Sequence, residues 1–77
     1  MSYCNFNHVS DVCVYEDHQL GLVVMVSKKA GGKSAGAMYT LETKEELMSC
    51  LNDLVKEGYK VRKSVLNEIA DEIRKQI

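Results

Sequence analysis

Residues 19–26 have the sequence Gln-Leu-Gly-Leu-Val-Val-Met-Val, the longest nearly uninterrupted apolar run in the chain, and they hold no charge. The length, the β-branched residues and the polar clusters on both sides predict a strand in the middle of a sheet. Side chains of a strand alternate between two faces. One face would carry Leu20, Leu22, Val24 and Val26. The other would carry Gly21, Val23 and Met25. Both faces are therefore apolar, although the chain supplies helices for only one.

Three further strands are predicted around this one. Residues 2–8 mix aromatic and polar positions, and residues 12–16 alternate, so both stretches predict strands. Asp17 and His18 would form a two-residue turn into the central strand. A basic loop with two glycines, residues 28–34, would then lead to a fourth strand at about residues 35–42. The short connections favour an antiparallel meander.

The apolar period changes to that of a helix at residue 43. Thr43 and Glu46 fit a capping box, and Gly58 is suited to the position just after the helix. A second helix would begin at Val61 or Ser64. The spacing predicts the following buried helix positions: Leu47, Cys50, Leu51, Leu54, Val55, Val65, Leu66, Ile69, Ala70, Ile73 and Ile77. We therefore predict an α+β fold, ββββαα, with two antiparallel helices packed on one face of a four-stranded antiparallel sheet.

Length and composition predict one domain, residues 1–77, located in the cytoplasm. The chain is 45% apolar and 27% charged, with a net charge of −1, which is ordinary for a soluble globular protein. Three cysteines without a Cys-x-x-Cys pair suit a reducing compartment. No apolar run has the length of a membrane span.

Three motifs could indicate a catalytic or ligand-binding site, but each is only a partial match. Gly32, Lys33 and Ser34 resemble the end of a phosphate-binding loop, but Ser27 stands where that loop needs its first glycine. A cysteine beside a histidine could act as a nucleophile, but 77 residues offer little concavity for a pocket. A zinc site would need an unusual spacing of its ligands. Its candidate ligands are Cys4, His8, Cys13 and His18. We expect no enzyme activity, no metal, no cofactor and no small-molecule substrate.

Direct nucleic-acid binding is not expected either, because acidic residues are interleaved with the basic ones along both predicted helices. The basic residues form two modest groups in the sequence. The first group is Lys28, Lys29 and Lys33. The second is Lys56, Lys60, Arg62 and Lys63.

The sheet face away from the helices, here called the outer face, is the strongest functional signal. It would carry Cys13, Tyr15, Val23 and Met25, with Met38 or Tyr39 according to the strand register. Contiguous exposed apolar surface marks a partner-binding site more often than chance, and tyrosine is favoured at interface centres. The alternative is that the N-terminal segment or a second copy of the chain covers this face. We therefore predict that the chain is an interaction or regulatory protein that binds a protein partner.

Three stretches together resemble a phage-encoded anti-CRISPR family that inhibits the type I-F CRISPR system. Residues 14–17, Val-Tyr-Glu-Asp, resemble that family's Val-Tyr-Glu-Asn. Residues 32–37, Gly-Lys-Ser-Ala-Gly-Ala, are similar to its Gly-Lys-Ser-Val-Gly-Ala. Asn-Glu-Ile of the last helix, residues 67–69, is shared. The similar region covers about residues 12–77.

The resemblance implies a four-stranded antiparallel sheet with two helices on one side, and it implies a function. Members of the family bind the repeated backbone subunit of a crRNA-guided surveillance complex and block hybridisation of target DNA. Their interface uses two tyrosines and a glutamate. Tyr15 matches one tyrosine, Tyr3 or Phe6 could stand in for the other, and Ser27 occupies the position of the glutamate. A protein that acts this way would work in the cytoplasm of the host bacterium.

Overall fold

The computed structural model describes residues 2–7 and 9–76. The strands are β1 (Ser2–Cys4), β2 (Val12–Asp17), β3 (Gly21–Val26) and β4 (Met38–Leu41), and the helices are α1 (Lys44–Lys56) and α2 (Lys63–Lys75). The strands form one antiparallel sheet in the order β1-β2-β3-β4. The predicted α+β class and the order ββββαα are confirmed. No helix in the described part of the chain is long and apolar enough to cross a membrane.

The inner face of β3 is the centre of the core, as predicted. Leu22, Val24 and Val26 lie on this face and pack with residues of both helices. The buried cluster consists of Cys4, Val12, Val14, Leu22, Val24, Val26, Leu47, Leu51, Leu54, Tyr59, Val65 and Ile69. Burial of each large apolar side chain stabilises the fold by roughly 1.5–3 kcal/mol before the loss of conformational entropy is counted. Val55, predicted to be buried, is instead 44% exposed. Ile77 lies outside the described residues.

The turn between β2 and β3 is longer than predicted. Asp17 still belongs to β2 and pairs with Gly21, so residues 18–20 form the connection. Asp17 Oδ1 accepts hydrogen bonds from the backbone N–H groups of Gln19 and Leu20 at 2.8 and 2.9 Å. These two bonds lower the pKa of Asp17. They also hold Leu20 in the turn, half exposed, so the prediction that Leu20 lies on the inner face is wrong.

The first and last strands are shorter than predicted, and both differences have local causes. The register between β1 and β2 shifts between Ser2 and Cys4, and the chain then turns through the isolated pair Asn7 and Ser10. Before β4, residues 32–37 form two turns instead of a strand. Ala35 N–H donates to Gly32 O in the first turn, and Ala37 N–H donates to Ser34 O in the second. His8, the last residue of the predicted first strand, lies outside the described part of the chain.

Helix α1 has the predicted signals at both ends. Glu46 N–H donates to Thr43 Oγ1 at 3.1 Å, while the Thr43 hydroxyl donates to the Glu46 carboxylate at 3.1 Å. The carboxylate therefore bonds the hydroxyl rather than the Thr43 N–H of a full capping box. At the other end, Gly58 N–H donates to Val55 O and Tyr59 N–H to Leu54 O. Gly58 has φ +102°, and together these features form a Schellman motif.

The Schellman motif directs Tyr59 into the molecule, where its hydroxyl joins the helices to the loop before β4. This hydroxyl accepts from Ser34 N–H at 2.8 Å and donates to Gly31 O at 2.9 Å. Beside it, Asp11 N–H donates to Lys60 O and Lys60 N–H donates to Asp11 Oδ2, both at 2.8 Å. Helix α2 begins after Arg62 without a side-chain cap, one residue before the predicted Ser64.

Truncation of the core should test the assignment of faces. Ile69→Ala should lower the free energy of unfolding by about 2–5 kcal/mol, and Val24→Ala by about 1–3 kcal/mol, because each leaves a cavity between sheet and helices. Val55→Ala removes an exposed apolar side chain and should change the free energy of unfolding by less than about 0.5 kcal/mol. Urea unfolding measures all three. Equal effects of Val24→Ala and Val55→Ala would contradict the assignment.

The Tyr59 hydroxyl can be removed alone. Tyr59→Phe leaves Ser34 N–H and Gly31 O without their partner, so we expect a loss of about 1–3 kcal/mol in the free energy of unfolding. Tyr39→Phe is the matched control, since no hydrogen bond joins the Tyr39 hydroxyl to any described side chain or backbone group. Chemical unfolding of both variants should show a loss only for Tyr59→Phe. A loss of the same size in both would show that the two hydrogen bonds contribute little.

Candidate functional site

The outer face consists of two cross-strand rows in β2, β3 and β4. The first row is Cys13, Met25 and Met38, and the second is Tyr15, Val23 and Thr40. Within the described residues, no helix or strand lies over these rows, because both helices contribute to the buried cluster on the opposite side. The register places Met38 on this face, whereas Tyr39 pairs with Val24 and packs against the core. Of the predicted outer-face residues, Cys13, Tyr15, Met25 and Met38 therefore share one side of the sheet.

Val23 differs from the prediction. It lies in the middle of the outer face, but its side chain has 0% exposure. Its cross-strand neighbours are Tyr15 and Thr40. The Tyr15 hydroxyl lies 3.9 Å from Met25 Sδ, so the ring leans from β2 across β3, and the shorter Val23 is enclosed beneath its neighbours. The expectation that Val23 offers exposed surface to a partner is wrong, and Tyr15 and Met25 form that surface.

Tyr3 and Phe6 lie on different sides of the sheet. Tyr3 packs against the core, and its hydroxyl donates to Glu72 Oε2 of α2 at 2.7 Å. Burial, followed by the bond to Glu72, raises the pKa of Tyr3 well above its ordinary value. Phe6 is 45% exposed and borders a groove of ≈ 410 Å³ whose lining includes Met25. Of the two aromatic residues that could accompany Tyr15, Phe6 adjoins the outer face and Tyr3 does not.

Ser27 directly follows β3 and caps the 3₁₀ turn Lys28–Ala30. Its side-chain oxygen accepts from Lys29 N–H at 3.2 Å, and its N–H donates to Asp11 O at 2.8 Å. Ser27 also lines the groove beside Phe6. A short, half-buried capping residue therefore stands where the resemblance places a glutamate, so this position offers no carboxylate to a partner.

The thiol of Cys13 is weakly reactive in this setting. It is half-buried and contacts Asn5 Oδ1 at 3.6 Å. Burial, with a smaller effect of Cys4, raises the pKa of the Cys13 thiol, and burial with Asp53 and Glu57 raises that of Cys50. A raised pKa keeps the thiol protonated at neutral pH, and the protonated form is a poor nucleophile. Neither cysteine has the activated environment of a catalytic thiol.

The loop that resembles the end of a phosphate-binding loop has structural partners instead. Ser34 N–H donates to the Tyr59 hydroxyl, and Ser34 Oγ donates to Glu57 Oε1 at 2.8 Å. Both polar groups of Ser34 are therefore engaged within the protein, and β4 rather than a helix follows the loop.

The four predicted zinc ligands do not form a cluster where the structure describes them. Cys4 lies in the core and Cys13 on the outer face. His18 lies in the turn after β2, and His8 is not among the described residues. In the described ranges, no group of three or more His, Cys, Asp or Glu side chains is placed to hold a metal ion.

Sequence reasoning missed part of this surface. Asn5, Ala37 and Gly36 border the outer face or its groove, and Thr40 occupies one end of the second row. Whether these residues reach the outer face depends on the strand register and on the path of the N-terminal segment. No alternation pattern in the sequence signals either feature.

Comparison with known proteins does not assign this chain to a family. No protein-family model matches it, and no curated protein or solved structure is significantly similar to it.

The raised thiol pKa values predict slow alkylation. At about pH 7.5, iodoacetamide should modify Cys13 and Cys50 several-fold more slowly than free glutathione, and the rate should keep rising beyond about pH 9, because only the thiolate reacts. Mass spectrometry of peptides containing each cysteine measures the rates separately. A rate that levels off near neutral pH would show a lowered pKa and would contradict this description.

Proposed function

We propose that this protein is a non-catalytic inhibitor that binds a protein partner through the outer face of its sheet. The observation that carries the proposal is that three strands present Cys13, Tyr15, Met25 and Met38 on a face that neither helix of the described residues covers. Met38 is 54% exposed. A contiguous apolar surface with a central aromatic residue is typical of a protein-binding site.

Tyr15 is suited to the centre of such an interface. It lies opposite Val23 across the strand pair, and its hydroxyl lies 3.9 Å from Met25 Sδ, so the side chain already has a contact within the face before a partner binds. A side chain that is already ordered loses little conformational entropy on binding. Met25 and Met38 flank it with flexible side chains that adapt to a partner's surface.

The proposed partner is the backbone subunit of a type I crRNA-guided surveillance complex, with type I-F the subtype that the resemblance names. Binding there before target DNA arrives would block hybridisation, so that the protein would act as an anti-CRISPR protein in the host cytoplasm. Support comes from Tyr15, a residue of the first similar stretch that lies on the outer face. Among the others, Ser34 and Ile69 hold the fold together.

A second candidate is a small interaction or regulatory protein with an unrelated partner. Ser27 favours it, because the carboxylate that the anti-CRISPR family uses is replaced by a serine that caps a turn. Self-association through the outer face is the third arrangement, since a second copy would cover the same residues. Co-purification with an assembled type I-F complex, and sedimentation of the free protein, distinguish the three.

Replacement of Tyr15 tests the site. Tyr15→Ala should weaken binding to the surveillance complex by about 2 kcal/mol or more, because an aromatic residue at the centre of an interface contributes strongly to affinity. Val55→Ala is the control, since it removes an exposed apolar side chain from a helix rather than from the sheet. Titration calorimetry against the complex gives both affinities.

Thermal unfolding of Tyr15→Ala should accompany this measurement, because Tyr15 lies opposite the buried Val23 and its loss could also lower stability. Unchanged affinity in a variant that remains folded would refute the outer face as the binding site. Loss of affinity in Val55→Ala as well as Tyr15→Ala would show that the helices take part in binding.

A further inference from the structure

The tertiary structure brings two separate groups of basic residues to one end of the molecule. One group lies in the 3₁₀ turn and the glycine loop after β3, and the other lies between α1 and α2. The Tyr59 hydroxyl joins the two loops through Gly31 and Ser34. Asp11 N–H donates to Lys60 O, and Lys60 N–H donates to the Asp11 carboxylate. We define the basic end by seven residues: Lys28, Lys29, Lys33, Lys56, Lys60, Arg62 and Lys63.

Charge is strongly divided along the molecule. The basic end holds seven of the ten Lys and Arg residues but only three of the eleven acids, a local balance of +4, and the remainder therefore carries −5. The three acids are Asp11, Asp53 and Glu57. All seven basic residues are exposed. The ion pairs formed by described residues, Lys44–Glu72 and Arg74–Asp71, lie at the opposite end.

Two of the three acids at the basic end have other partners. Asp11 Oδ2 accepts from the backbone N–H of Lys60, and Glu57 Oε1 accepts from Ser34 Oγ. Asp53 and Glu57 also lie close to Lys56 in the chain, so the three acids reduce the positive charge of the basic end without cancelling it. A local excess of positive charge generates a field that attracts polyanions, even when the net charge is −1.

An exposed aromatic ring stands next to this charge. Phe6 lies between two grooves, one of ≈ 350 Å³ on the side of Asn7 and Ala30, and one of ≈ 410 Å³ on the side of Met25 and Ala37. Lys29 lines both grooves, and Lys28 lines the second. An aromatic face beside lysines is the combination that binds unpaired bases and their phosphates.

The geometry points to a binding site for single-stranded nucleic acid at the basic end, with a base stacked on Phe6 and phosphates bound by Lys28, Lys29 and the neighbouring cations. An acidic protein segment would use the same charges but would leave the ring without a stacking partner. A duplex would hide its bases from Phe6. The site adjoins the outer face, because Met25 lines the groove beside Phe6, but it does not depend on the identity of the protein partner.

The experiment measures fluorescence anisotropy of a labelled oligouridylate of about 12 nucleotides with the full-length protein between about 50 and 200 mM salt. Binding should weaken steeply with salt. Lys29→Glu should reduce the affinity at least about tenfold at low salt, and Lys75→Glu, the same charge reversal at the opposite end, should leave it nearly unchanged. Phe6→Ala should reduce it at least about fivefold, whereas Leu20→Ala, which removes an exposed apolar side chain from the β2–β3 turn, should not.

Four results would overturn the proposal. The first is no saturable binding at low salt, and the second is an equal loss for Lys29→Glu and Lys75→Glu, which would indicate a nonspecific effect of net charge. The third is equal affinity for a duplex of the same length, or no effect of Phe6→Ala, either of which excludes recognition of unpaired bases. The fourth is equally tight binding of an oligoglutamate peptide, which would assign the basic end to acidic proteins.

Discussion

The inner face of β3 packs against both helices, and this one-sided packing constrains the rest of the structure. Val24 has no exposed surface and lies in the same buried cluster as Leu51 and Ile69. Two helices of 13 residues each can cover one face of a four-stranded sheet but not both. In the part of the chain that the structure describes, neither helix lies over the other face of the sheet, although β3 is apolar on both sides. Val23 on that face is nevertheless buried, and Tyr15 lies opposite it.

A second constraint is the Tyr59 hydroxyl. The Schellman motif at the end of α1 turns the chain so that Tyr59 points into the core, and the hydroxyl then satisfies Ser34 N–H and Gly31 O. Gly32 approaches the same hydroxyl so closely that a Cβ atom would lie 2.9 Å from it. The glycine loop is therefore fixed by packing, although its composition alone is typical of a flexible segment. By fixing this loop, Tyr59 also determines which charges become neighbours.

The two proposed surfaces differ in how far the sequence predicts them. Alternation in β2 and β3 was sufficient to place Cys13, Tyr15 and Met25 on one face, because a strand has only two faces. It was not sufficient to show that Val23 is enclosed, since enclosure depends on the rotamer of Tyr15 on another strand. The sequence also could not show which of Tyr3 and Phe6 adjoins the outer face. The register shift in β1 and the turn at Asn7 send them to different sides, and neither feature has a sequence signal.

The sequence by itself determined the class of fold, the order of the elements, the inner face of β3 and the caps of α1. Each of these depends on local periodicity or on contacts within a few residues, which a linear pattern contains. Tertiary structure alone decided the strand register that places Met38 outward, the enclosure of Val23 and the gathering of seven basic residues at one end. Those features join residues far apart in the chain, as the hydrogen bond between Ser34 and Tyr59 does. The physical reason is that local pattern specifies which side of an element is apolar, whereas proximity between elements follows from how those sides pack together.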